Sequence, residues 1–162
     1  MPATEIQRST RFYTVGITKC LWVPTISDPS LVPNRAEINA GIDLTPEIAE
    51  FEGWSTTSET IDTPDMVSRF VSRIAGAITA EDSSISFYAD RDGDDARNIF
   101  PRDTEGYIVW MDSGDEPGKP MDIYPVQVAS APKVRSMENA TLIRVDFTIT
   151  REPVENAIIP AA

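Results

Sequence analysis

The chain has 162 residues, 41% of them hydrophobic, and carries 14 lysines and arginines against 26 aspartates and glutamates, for a formal net charge of −12. That length makes one domain, able to bury roughly two-thirds of its unfolded surface without disulfide or metal staples. The charge argues against a protein that grips nucleic acid by neutralising phosphates, and the absence of histidine removes the usual general base and the commonest metal ligand.

Residues 1–10 are polar and nonperiodic around Pro2, which predicts an arm ordered only by a partner. Phe12 to Ile26 places Tyr13, Val15, Ile17, Cys20, Trp22 and Val23 in a β-rich run that ends at Pro24. Between Ser27 and Leu44, Asn34-Arg-Ala-Glu37 reads as a capping box and Gly41 as a terminator, so one or two helical turns fit there. Thr45 to Trp54 returns to β-like material. The stretch Trp54, Ser55, Thr56, Thr57, Ser58, Glu59, Thr60, Ile61 and Asp62 is hydroxyl-rich and too long for a tight turn. It has little to bury within its own subunit and reads as a loop that reaches another.

Thr63 to Gly76 fits two templates. Thr63 as N-cap, Pro64 at N1, the apolar Met66, Val67, Phe70, Val71 and Ile74, and Gly76 as a stop describe an amphipathic helix. Phe70, Ile74 and Ile78 also share one strand face, ahead of a turn at Ala80 to Ser83 and the alternating strand Ser84 to Ala89. Asp90 to Asp95 then sets a negative charge before a short helix, Ala96 to Phe100, that must stop at Pro101. Gly106 to Met111 is a strand, and Asp112 to Pro120 a strong turn.

The final hairpin organises the chain. In Thr141 to Thr150, Ile143, Val145, Phe147 and Ile149 alternate with Leu142, Arg144, Asp146 and Thr148, the period of a strand with one buried face. Its expected partner is Asp122 to Ser130, across a polar connection from Ala131 to Asn139. The boundaries that follow are a β core over 11–151, an N-terminal arm over 1–10 and an apolar, nonperiodic C-terminal arm over 152–162 with the character of a docking segment.

Little here carries chemistry. The glycines give no phosphate loop or dinucleotide fingerprint. Asp90, Asp92, Asp94 and Asp95 begin like a calcium loop, but Asp95 stands where the sixth-position glycine belongs and Pro101 where the twelfth-position glutamate belongs. Asp112, Asp115 and Glu116 are paired carboxylates in a solvated turn. Trp22, Trp54 and Trp110 would suit a sugar platform, but lie in or beside β runs where a core tryptophan is commoner. Cys20 has no partner in the chain, and the Asn139-Ala-Thr141 sequon has no meaning without a secretory route. With no apolar run near the ~20 residues of a membrane span and no apolar segment after Met1, a soluble protein made in the cytoplasm is expected, with no cofactor.

The order of the segments Thr18 to Thr25, Ala36 to Leu44, Ser83 to Asp90, Tyr124 to Ser130 and Phe147 to Pro153 resembles the tail tube proteins of long-tailed bacteriophages. The resemblance implies a mainly β fold of two packed antiparallel sheets, sandwich- or barrel-like, with one short flanking α-helix, a long loop and extended arms. It implies a non-enzymatic virion subunit, made in the bacterial host, that forms homohexameric rings stacked into a tube. Tape-measure, tail-tip and tail-terminator proteins would be its partners, and DNA would pass the lumen without specific binding. For Thr63 to Gly76 it favours β from about Phe70. A head-to-tail joining or other ring component of the particle, and a carbohydrate-binding β-sandwich, are the alternatives.

Overall fold

The computed structural model describes residues 1–162. Its elements are β1 (Lys19–Val23), α1 (Arg35–Ala40), β2 (Ile42–Asp43), β3 (Ile48–Glu52), β4 (Thr56–Thr63), β5 (Ser72–Ala80), β6 (Ser83–Tyr88), α2 (Ala96–Ile99), β7 (Glu105–Met111), β8 (Pro120–Ser130), β9 (Lys133–Val134), β10 (Leu142–Ile149) and β11 (Val154–Ile158). Nine strands form one antiparallel sheet in the order β2, β1, β7, β8, β10, β6, β3, with β11 also beside β8 and β9 beside β10; β4 and β5 pair only with each other.

The large sheet folds over on itself. Phe51 of β3 meets Trp110 of β7 with ring centroids 4.8 Å apart, although β8, β10 and β6 separate the two strands along the sheet. The two packed layers are therefore halves of one curled sheet. Their shared interior takes Trp22, Ile85, Phe87, Trp110, Val126, Ile143, Val145 and Phe147. Two local features close it: Phe100, just after α2, sits edge-on to Trp22 and Phe147 and stacks on Phe87, while Gly106 makes room for the Trp22 indole, which a Cβ there would approach to 2.4 Å.

Strands β1, β7 and β8 are buried on both faces, which is why they read as nearly unbroken apolar runs. Their outer face, with Val23, Val109, Met111 and Ile123, packs beneath Ile38 of α1 and Ile159 of the tail. Helix α1 forms where its signals place it. Asn34 Oδ1 accepts the Glu37 N–H at 2.9 Å, Glu37 Oε2 accepts the Asn34 N–H at 2.9 Å, and Gly41 ends the helix. A second short helix, α2, starts on the Asp95 carboxylate.

Four segments depart from their sequence pattern. The strand expected over Phe12 to Ile26 shrinks to Lys19–Val23, because Gly16 turns the chain at φ +88° and the N–H groups of Ile17 and Thr18 bond to the Thr14 carbonyl. The excursion after Trp54 is a strand, β4, rather than an irregular loop. In Thr63 to Gly76 no helix forms: Asp65 Oδ1 accepts the N–H groups of Val67 and Ser68 in a side-chain turn, and from Ser72 the chain pairs with β4. Finally, β8 pairs with β10 only over Val126–Ser130; its other half, Pro120 to Ile123, is taken by β11, so the C-terminal segment docks on its own subunit. The register break at Asp146/Phe147 and the Thr150 N–H on the Pro125 carbonyl mark where the closing strand hands over.

Candidate assembly surfaces

The hairpin β4–β5 projects as an arm from a rigid root. Gly53 and Trp54 both have left-handed backbones, at φ +82° and +64°, and a Cβ at Gly53 would lie 2.4 Å from the Asp82 carbonyl oxygen. Trp54 is buried rather than part of an exposed loop. Its N–H donates to Ser83 Oγ at 3.0 Å, its Nε1–H to the Ser84 carbonyl at 3.2 Å, and its carbonyl accepts the Tyr124 hydroxyl. The indole packs against Trp110, Tyr124 and Phe147 at centroid distances of 5.8, 5.3 and 5.6 Å. Burial, with the carboxylates of Asp122, Glu155 and Asp112, pushes the Tyr124 hydroxyl up to about 12, so it stays protonated and donating at neutral pH.

Beyond this root the arm is bare. Thr56 is half-buried at its base, its Oγ1 3.4 Å from Glu155 Oε1; Ser55, Thr57, Ser58, Glu59, Thr60, Ile61 and Asp62 are exposed. Cross-strand pairs hold the arm together: the Thr57 and Thr79 hydroxyls at 3.1 Å, Asp62 with Arg73 at 2.8 Å, and Ile61 opposite Ile74. At its tip Met66, Val67 and Phe70 are exposed, Phe70 to 75%. A two-stranded hairpin is marginal in water, and one tipped with bare apolar side chains has the form of an element that meets a partner.

The second surface is the outer face of β3, β6 and β10. Inward, this layer buries Ile143, Val145 and Phe147 completely and Ile149 partly. Outward, the directly paired residues are Glu52, Ser84 and Asp146 in one row and Glu50, Ser86 and Arg144 in the next. Arg144 Nε donates to Asp146 Oδ1 at 3.1 Å, Arg144 lies 3.8 Å from Glu52, and Ser130 Oγ donates to Asp146 Oδ2 at 2.9 Å. Two carboxylates, Asp146 and Glu52, flank the one guanidinium and Glu50 lies in the adjoining row, so these side chains make the face net acidic. The other outward sheet face, on β1, β7 and β8, is the one covered by α1 and the tail.

The carboxylates that begin like a calcium loop are occupied locally. Asp90 Oδ2 accepts the N–H groups of Asp92 and Asp94, and Asp95 caps α2. No three His, Cys, Asp or Glu side chains converge as a metal set. Cys20 is buried, and that burial pushes its thiol well above the ordinary range, away from nucleophilic reactivity. Burial, and secondarily the neighbouring Asp122 carboxylate, raises the Asp112 carboxyl. The three tryptophans are core residues, not a platform.

A curled antiparallel sheet with one bare polar face, unpaired edge strands and a projecting apolar-tipped hairpin defines a subunit built to assemble. The chain belongs to the phage tail tube protein family, which matches it over residues 6–162, and is thus a structural component of a virion tail. Among solved structures it is similar to a chain from the tail of an empty GTA particle computed with helical refinement and C6 symmetry, at 14% identity over 87% of this chain and 95% of that one, with a TM-score of 0.49. It is also similar to the SPP1 Dit protein, a hub of the adsorption apparatus in phages infecting Gram-positive hosts, at 14% identity over 83% of this chain and 50% of that one, with a TM-score of 0.42. The chain thus spans half the length of the Dit protein. No curated protein matches it in sequence.

Proposed function

We propose that the subunit forms hexameric rings that stack into a tube, with the outer face of β3, β6 and β10 as the lumen wall and the β4–β5 arm as the contact between copies. The observation that carries this reading is the asymmetry of the curled sheet: one outward face is sealed by α1 and the tail, and the other has no such cover and presents exposed Glu50, Glu52 and Arg144 and half-exposed Asp146, with Ser84 and Ser86 buried between them. A wall on which carboxylates outnumber cations suits DNA that must slide past. Like charge acts within a Debye length of roughly 8 Å at physiological salt and keeps phosphates from lodging. Family membership supports the sixfold ring and, with it, partnership with tape-measure, tail-tip and terminator proteins.

Light scattering and negative-stain imaging at rising concentration test the assembly. Rings or tubes are expected by ~0.1 mM, where even weak self-association is visible. A protein that stays monomeric there overturns the reading.

A further inference from the structure

The four-stranded patch β3, β6, β10, β9 has an unpaired edge on each side. Strand β3 pairs only with β6, and β9 only with β10. An exposed strand edge is a template for another chain, and natural sheets blunt edges they do not use.

The two edges differ in charge. No lysine or arginine occurs between Arg35 and Arg69, so β3 and its approach carry Glu47, Glu50 and Glu52 with no cation in that stretch, whereas β9 and its continuation carry Lys133 and Arg135. They also differ in shape. Beside β3 opens a cleft of about 250 Å³ lined by Val15, Ile48, Ala49, Phe51 and Trp110, in which Phe51 is 47% exposed. Beside β9, Val134 is half-exposed and Met137 fully exposed.

From these edges, and resting on the ring reading above, we infer that copies join head to tail, the acidic β3 edge of one receiving the basic β9 edge of the next. Val134 and Met137 of the incoming copy then face the Phe51 cleft. The alternative, a twofold contact, would set Glu47, Glu50 and Glu52 against themselves at one edge and Lys133 and Arg135 against themselves at the other, and like charges across a strand pair are repelled. Two different complementary edges on one sheet make a heterologous contact, which propagates from copy to copy rather than stopping at a dimer and closes into a ring when the rotation per copy returns to its start. The outer faces of β3, β6 and β10 from successive copies then form one continuous wall. The seam is electrostatic, so ring formation weakens as salt rises.

Two charge-reversed variants test it: Glu47→Lys with Glu50→Lys, and Lys133→Glu with Arg135→Glu. Each alone should sediment as a monomer with a melting temperature close to that of the parent, and an equimolar mixture should restore rings, because every seam in an alternating ring again joins opposite charges. Either variant assembling alone as the parent does, or a mixture that stays monomeric, overturns the seam. An independent readout uses Ala49→Cys with Met137→Cys and a flexible bismaleimide, the native Cys20 being buried. A cross-linked ladder extending beyond dimer supports the head-to-tail seam, and one that ends at dimer overturns it. A parent protein that forms no rings overturns the ring reading itself, and the seam with it.

Discussion

Trp54 shows how one side chain holds two functions together. It lies between the end of β3 and the start of the arm and sits in the core on Phe147, so the arm is rooted in the same cluster that the closing strand buries. Phe147 is 3% exposed while its neighbour Thr148 faces solvent. Phe147→Ala should therefore cost about 3–5 kcal/mol, the range for removing a buried phenylalanine, and Thr148→Ala within about 0.5 kcal/mol. Denaturant midpoints that coincide for the two variants would refute this register. The capping box at α1 offers a pH test. The Asn34 backbone N–H, then the Ser27 hydroxyl and backbone N–H, hold the Glu37 carboxyl below its ordinary value of 4.5. A carboxyl depressed by folding contributes stability above its unfolded pKa and loses it as pH falls through the folded one. Glu37→Gln should lower the melting temperature at pH 7, and the gap from the parent should close below pH ~4. A gap that persists in acid would show that the carboxylate's charge is not what caps the helix.

At the scale of elements, the arm is separable from the core it springs from. The Glu81 N–H reaches the Ser55 carbonyl at 3.0 Å, and Thr56 lies opposite Ala80, so the chain is already closed at the base. Replacing Thr57 to Thr79 by a two-residue Asn-Gly turn keeps that closure in a favoured hairpin geometry. Circular dichroism should retain its β signature and the melting temperature should hold, while tube formation is lost. Burying Met66, Val67, Phe70 and Val71 against a neighbour gains on the order of 1.5–3 kcal/mol per fully covered side chain, and the shortened arm forfeits it. Intact tubes from the shortened protein would refute the role. The tail behaves in the opposite way: β11 completes the outer side of β8, and Ile159 is buried under the sheet, with Arg35 holding the Pro160 carbonyl at 2.8 Å.

For the whole molecule, the net charge of −12 acquires a direction. On the bare sheet face the carboxylates of Glu50, Glu52 and Asp146 outnumber the one guanidinium of Arg144. Assembled rings should not retain duplex DNA at physiological salt. Glu52→Lys with Asp146→Lys should make the same rings retain it, with an affinity that falls as salt rises, as phosphate neutralisation requires. Submicromolar binding by the parent protein would overturn the acidic wall.

Local signals were enough to read much of this from the sequence. The strict alternation around Ile143, Val145 and Phe147, the capping box at Asn34 and Glu37, and the turns before β6 and β8 each depend on neighbours within a few residues, and the structure keeps them. The order of segments along the chain was legible in the same way and carried the family resemblance. What local pattern could not hold was decided by pairing. Thr63 to Gly76 satisfies a helix and a strand equally until β4 is present to pair with it, and the polar stretch after Trp54 becomes a strand only because β5 returns beside it. The tail has no periodicity because its burial comes from filling the half of β8 that β10 leaves open. The location of the acidic face was settled last of all, since alternation tells which residues share a face, whereas only the curl of the sheet, with α1 and the tail sealing one side, determines which face remains bare.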